Sequence, residues 1–234
     1  MLFLVALSLL SYIMECIAFY GSEMRFIRSS NESTILLGVY SGSVMSMILL
    51  MLPLISSLIY SDSFYKDYHD GVIKTILTRV RKSDYILSQA VVAFVSSFVV
   101  FFVALLINLI IVKATFPTVG FDNNYSLPPY DIGVQNFDEN FFLDFIRVQS
   151  PFVYNIVMLF ILSFFSGLIS LFTYGVYFLF LDRNRIFGLF FSFMCYIVSA
   201  IGLYMLGFGD FSLASQLRPL HEGTFQPLII WGII

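Results

Sequence analysis

Ionisable side chains are scarce in this sequence. Asp, Glu, Lys and Arg make up 12% of its 234 residues, about half of the roughly 25% usual in a water-soluble domain. Hydrophobic residues make up 59% and run in long uninterrupted blocks. A disordered chain, a coiled coil and a free-standing soluble domain are all excluded by that composition. Cysteine is almost lacking. Cys16 and Cys195 both fall inside apolar runs, so no disulfide framework and no CxxC metal spacing is available, and both read as small packing residues. The two histidines, His69 and His221, stand in loops far apart, and no His, Cys or carboxylate cluster has zinc-like spacing. A GxxxxGK phosphate loop, an HExxH helix and a nucleophile elbow are all missing. The chain is therefore not expected to hydrolyse ATP or to hold a cofactor or metal. A net charge of −3 is small and excludes nothing by itself; nucleic acid is not among the expected partners.

What is present is a series of apolar stretches. A bilayer core of about 30 Å takes roughly 20 residues of helix. Thr34–Tyr60, Tyr85–Val112, Pro151–Leu181 and Ile186–Gly209 contain no Asp, Glu, Lys or Arg, and Met1–Tyr20 is interrupted only by Glu15. Met1–Tyr20 has no basic leading region and no small-x-small cleavage site, so it reads as a span rather than a signal peptide. Phe225–Ile234 opens a sixth candidate with about half of the length a crossing needs, and the expectation is a last span cut short. The fold class is thus an all-α integral membrane protein of six transmembrane helices, with residues 1–234 forming a single transmembrane domain. Tyrosines and Trp231 near the span ends suit an aromatic belt. Ser166-Gly167, Gly202 and Gly207 read as close-packing positions.

Basic residues set the orientation. The loop Ser61–Asp84 carries Lys66, Lys74, Arg79, Arg81 and Lys82, and the link Asp182–Arg185 carries Arg183 and Arg185. The alternate loops are longer and acidic, with Glu23, Glu32, Asp122, Asp131, Asp138, Glu139, Asp144, Asp210 and Glu222. The positive-inside rule then puts Ser61–Asp84 and the amino terminus in the cytoplasm.

Within Ser61–Asp84 the pattern predicts one short amphipathic helix over Asp70–Arg79. Asp70 is placed to cap its first turn. Val72, Ile73, Ile76 and Leu77 form an apolar stripe, with Lys74, Arg79 and Arg81 off it or beyond its end. A helix so short is unstable alone in water, so lipid or a partner must cover the stripe. Asp67 and Gly71 stand four residues apart, followed by Ile76-Leu77-Thr78 and then Val80, Lys82 and Tyr85. This arrangement resembles the coupling helix between the second and third spans of type-2 ABC transporter permeases of the exporter class. Arg79 stands where that family commonly has proline, Arg81 where it has a small residue, and Gln89 where lysine is frequent.

The resemblance implies a permease subunit of an ATP-driven exporter. Its coupling helix would dock on a separate ATPase through Asp67, Asp70, Gly71, Ile73, Lys74, Ile76, Leu77 and Arg79. ATP and Mg²⁺ would sit on the ABC ATPase partner. A second permease subunit, identical or related, would complete the path through a bacterial cell membrane. A hydrophobic or amphipathic cargo such as a peptide, lipid or drug would suit it.

Two other readings stay open. Glu15 is the one ionisable residue deep in a span, which makes it a candidate proton carrier for a secondary transporter. The structural readings, in which it reaches the outer interface near Tyr20 or pairs at a subunit interface, are preferred to a direct transport role. The basic loop could also lie on anionic lipid or bind a partner in a non-transporting scaffold or sensor. The long outer loop Lys113–Ser150, with Pro117, Pro128 and Pro129, reads as a lid, a docking surface or a cover over the span ends. A structured outer segment is expected over Asp210–Thr224. Asn31-Glu-Ser33 and Asn124-Tyr-Ser126 match glycosylation sequons, which carry meaning only in a eukaryotic secretory route.

Overall fold

The computed structural model describes residues 1–23, 27–38, 40–117, 137–180, 185–223 and 225–233. Arg25, Asp122, Asn124, Pro128, Pro129, Asp131, Asp182 and Arg183 lie outside them. Among the described residues the regular structure is helical, apart from one isolated antiparallel bridge between Phe141 and Glu222.

Five helices are long and apolar enough to cross a membrane: α1 (Leu2–Phe19), α2 (Gly42–Tyr60), α5 (Lys82–Thr115), α7 (Pro151–Leu179) and α8 (Arg185–Met205). Short helices join them: α3 (Ser63–His69), α4 (Val72–Leu77), α6 (Asp144–Gln149) and α9 (Leu213–Gln216), with a 3₁₀ turn at Gly209–Phe211. The stretch expected to open a sixth span forms the short helix α10 (Phe225–Ile233), about 14 Å long at 1.5 Å per residue. The described helices of spanning length therefore number five. At 34 residues α5 is about 51 Å long and outreaches a bilayer core of about 30 Å.

Apolar side chains stay exposed along these helices, among them Leu9, Ile13 and Ile17 on α1, Val91, Val95 and Val99 on α5, and Val198 and Ile201 on α8. Apolar surface on this scale is what a lipid-facing helix presents, and it is compatible with a multi-pass membrane protein.

The chain divides into two compact units. The first comprises Met1–Leu49, Phe102–Ile161 and Leu213–Ile234. Buried polar side chains pin it together. Asn108 on α5 accepts from the Ile35 amide (3.0 Å) and donates to the Ser8 carbonyl (2.9 Å). Ser8 Oγ donates back to the Ala104 carbonyl at 3.1 Å. Asn155 on α7 donates to the Asn31 carbonyl at 2.8 Å. These bonds explain why the expected span Thr34–Tyr60 becomes helical only at Gly42. The preceding apolar residues Ile35–Leu37 are buried in turns, where the Ile35 amide is satisfied by Asn108 of α5 and the Leu37 amide by the Thr34 hydroxyl rather than by helix.

The second unit comprises Leu50–Phe101 and Leu162–Ser212. Small residues bring α5 and α7 close together there. Ser97 Oγ donates to the Ser166 carbonyl at 3.2 Å, and Ser170 Oγ to the Ala93 carbonyl at 3.0 Å. A methyl added at Gly167 would lie 2.8 Å from the Phe94 ring, so the close-packing expectation holds at Ser166-Gly167. It fails at Gly202 and Gly207, where an added methyl would meet open space. Gly207 instead has φ +80° and ends α8 in the left-handed conformation.

Candidate functional site: the α3–α4 elbow and a buried carboxylate

The loop Ser61–Asp84 holds two short helices, not one. α3 runs Ser63–His69 and α4 runs Val72–Leu77, with Gly71 between them at φ +71°. That backbone conformation costs about 1–2 kcal/mol for a residue with a Cβ, so glycine is the residue that lets the chain turn here. The expected capping by Asp70 is corrected accordingly. Asp70 ends α3 in right-handed geometry, the residue preceding α4 is Gly71, and neither helix end carries a side-chain cap.

The elbow has an anchored face and an open face. On the anchored side, buried Phe64 of α3 stacks on Phe178 at a ring distance of 4.0 Å and meets Tyr174 edge-on at 6.4 Å. Tyr85, on the first turn of α5, lies 6.4 Å from the same ring and donates its hydroxyl to the carboxylate of Asp67. Tyr174 donates to the Ile86 carbonyl at 3.2 Å. Half-buried Ile73 and Ile76 of α4 pack against this aromatic cluster. Part of the apolar stripe is thus covered by the chain itself, where the sequence called for lipid or a partner.

The open side carries Asp70, Val72, Lys74, Leu77, Arg79, Val80, Arg81 and Lys82, all exposed. The sequence-derived candidates therefore separate. Asp67, Ile73 and Ile76 hold the elbow, while Lys74, Leu77 and Arg79 face outward. The sequence reading missed α3 and its anchor Phe64. Aromatic residues at Phe64, Tyr65 and Tyr68 on helical spacing, together with the Asp62–Lys66 ion pair (3.2 Å, one turn apart), are the signals that mark it.

Glu15 lies on α1 in the first unit and is fully buried. Its Oε1 accepts from the backbone amides of Tyr40 (3.0 Å) and Ser41 (2.9 Å), just ahead of α2. The other oxygen, Oε2, is buried without a hydrogen-bond partner. Ser41 Oγ donates to the carbonyls of Gly38 and Thr34 at 3.2 and 3.3 Å, closing the same turn. A methyl at Gly38 would collide with the Glu15 carboxylate, so glycine is required for the close approach. A carboxylate at the start of a helix also meets the positive end of its dipole. Asn108 and Asn155 share this role of tying turns to helices, and the sequence reading passed over both. An amide inside an otherwise apolar run is the signal that identifies them.

A third cluster closes the first unit. Arg147 Nε donates to Asp144 at 2.5 Å, and Asp144 also accepts from the Asp138 amide at 2.8 Å. The Phe142 amide donates to the His221 carbonyl (3.0 Å), and the Gly223 amide to that of Asn140 (3.0 Å). The expected structured segment over Asp210–Thr224 is thus described up to Gly223, stitched to residues 138–147. Burial holds the His221 imidazole below its ordinary value, against the raising effect of its bond to the Arg218 carbonyl.

No protein-family model, no curated protein and no solved structure matches this chain.

Proposed function

We propose that the chain is the membrane-spanning permease subunit of an ATP-driven exporter of the type-2 ABC class, with α4 as its coupling helix. The observation that carries this reading is the two-sided seat of α4. Ile73 and Ile76 are fastened to aromatic residues of α3, α5 and α7, while Val72, Lys74, Leu77 and Arg79 face outward. A coupling element needs both features: a rigid attachment to the spans it moves, and an exposed surface for the subunit that moves it. Six residues of helix would not persist on their own, so the seat on the aromatic cluster is what gives α4 a fixed shape.

On this reading the basic loop and the amino terminus face the cytoplasm of a bacterial cell, by the excess of Lys and Arg on that side. ATP and Mg²⁺ bind the partner ATPase. A second permease subunit completes the path, and the cargo is hydrophobic or amphipathic. The test is to co-express the chain with ABC ATPase subunits from the same cell, co-purify them and measure ATP turnover. Leu77→Asp and the pair Lys74→Glu/Arg79→Glu alter the open face and spare the anchored one. They are expected to abolish complex formation and permease-dependent turnover. Wild-type turnover in both variants would sink the reading.

A second reading rests on a separate observation, the buried Oε2 of Glu15. It makes the chain a proton-coupled secondary transporter, active without any ATPase and silenced by Glu15→Gln. Partner binding through the basic loop without movement of any substrate would point instead to a scaffold or sensor.

A further inference from the structure

In the first unit a short helix is joined directly to a span. α6 (Asp144–Gln149) ends at Gln149, and α7 begins at Pro151. Lys113, in the last turn of α5, holds its ammonium 3.7 Å above the ring of Phe152. α5 begins at Lys82 in the basic loop. The start of α7, and α6 with it, therefore lies beside the end of α5 that is farthest from that loop.

The two faces of α6 differ. Asp144 and Arg147, three residues apart, are buried and bonded to each other. Phe145 and Val148, also three apart, share a different face and are 65% and 45% exposed. Gln149 beside them is exposed as well, so the open face carries no charge. A short helix with water on that side would show polar or charged residues there. The rotation of α6 is fixed from its first residue. The chain enters it through Leu143 at φ +57°, a conformation that residues with a Cβ rarely adopt. Such a turn persists only where its surroundings hold it. Here the buried ion pair and the bond from the Asp138 amide to Asp144 do so.

We propose that α6 lies along the headgroup–acyl boundary of the leaflet opposite the basic loop, with Phe145 and Val148 inserted among phospholipid acyl chains. Three observations select a lipid surface. The apolar exposure continues into α7, where Val153 and Phe160, two turns apart, are both exposed. That is the side of a span that meets acyl chains. Lys113 and Phe152 mark the boundary itself. A lysine near a span end lays its stem along apolar surface and keeps its ammonium at headgroup level, and the ring beneath it sits at the depth of an aromatic belt. Glu139 and Glu222 set the opposite limit. Both are exposed, and Glu222 is bridged to Phe141, so the segment leading into α6 stays in water. An interfacial helix buries its apolar face about 5–10 Å into this boundary. One layer of side chains suffices for that depth, and Phe145 and Val148 supply it. The helix thereby sets the level at which α7 enters the bilayer. The proposal needs α7 to cross a membrane and does not need α4 to be a coupling helix, so the two stand or fall separately.

The experiment uses a single tryptophan as depth probe. The full chain has one tryptophan, Trp231. Phe145→Trp is therefore made in a Trp231→Phe background and reconstituted in nanodiscs of phosphatidylcholine and phosphatidylglycerol. Its emission is expected to be blue-shifted. It should lose most of its intensity when the acyl chains are brominated near the headgroup, and less when they are brominated near the chain end. Acrylamide in the water should quench it little. Glu139→Trp in the same background should behave in reverse, quenched by acrylamide and spared by both brominated lipids. Val148→Trp reports on the same face, and it decides the matter if Phe145→Trp does not fold.

A probe on α6 that acrylamide quenches and bromine does not would place the helix in water. A probe shielded from both would place a protein surface over it. Stronger loss from chain-end bromines would place it below the boundary, and bromine quenching of Glu139→Trp to the same extent would remove the aqueous limit. Each of these four results overturns the proposal.

Discussion

The hydroxyl of Tyr85 donates to the carboxylate of Asp67, eighteen residues earlier in the chain. This bond pins α3 to the first turn of the longest helix, beside the ring contact that Tyr85 makes with Phe64. A hydrogen bond to a charged acceptor contributes about 1.5–3 kcal/mol when well buried, and less where water competes. Tyr85→Phe keeps the ring packing and removes the donor. It is expected to cost about 1–2 kcal/mol and to speed hydrogen exchange of the amides from Ser63 to Leu77. In a double-mutant cycle with Asp67→Asn the two changes should be non-additive. Strict additivity, with unchanged exchange, would show that the pin carries nothing.

Gly71 is the turning point between α3 and α4. At φ +71° an alanine meets no steric neighbour, so its whole penalty is backbone conformation, about 1–2 kcal/mol. Gly71→Ala should therefore leave the five long helices intact while loosening α4 from Ile73 to Leu77. Gly71→Asn should be milder, because asparagine tolerates the left-handed region. Limited proteolysis of the Ser61–Asp84 loop checks the order: fastest for alanine, intermediate for asparagine and slowest for the natural residue. Equal rates for the three would show that the elbow does not depend on this conformation.

Glu15 and Gly38 should fail for different reasons. Glu15→Ala leaves the buried Ser41 amide without an acceptor, at about 1–3 kcal/mol, and the part-buried Tyr40 amide without one at a smaller cost. Glu15→Gln retains one oxygen acceptor and is expected to cost less. Gly38→Ala keeps the carboxylate but forces a methyl into it. If the carboxylate works by fastening the turn before α2, all three variants lower the thermal midpoint, with Glu15→Gln least affected. A Glu15→Gln variant with wild-type stability but no substrate movement would instead support the proton-carrier reading.

The sequence showed the spanning helices well because length and freedom from charge suffice to mark them. α1, α5, α7 and α8 lie close to their expected limits. It failed where burial inside protein imitates burial in lipid. Ile35, Leu36 and Leu37 are as apolar as a span, yet they fold into turns because Asn108 and Glu15 offer their surroundings hydrogen bonds that lipid would not. The elbow was half legible. Apolar spacing located α4, but the αL conformation of Gly71 and the docking of Phe64 depend on Tyr174 and Phe178, about a hundred residues away. Local periodicity carries no information about such partners.

His221 makes the chain sensitive to acid. Its Nδ1–H donates to the Arg218 carbonyl at 2.7 Å, and the ring stacks on Phe142 at 4.8 Å. The remaining nitrogen, Nε2, is buried without a hydrogen-bond partner. A proton added there would have no acceptor and would bring a charge into a buried site, which is why the imidazole is held below its ordinary value of 6.5. The unfolded chain takes up this proton more readily than the folded one. Stability is therefore complete above about pH 6.5 and falls as pH drops through that value toward the lower folded one. The thermal midpoint should decline between pH 7.5 and pH 5 in the natural chain. In His221→Asn, whose amide can donate to the Arg218 carbonyl but does not titrate, the part of that decline due to this residue should be missing. An identical pH profile for the two proteins would show that the segment joining Phe142 to His221 tolerates the charge, and that the acid sensitivity lies elsewhere.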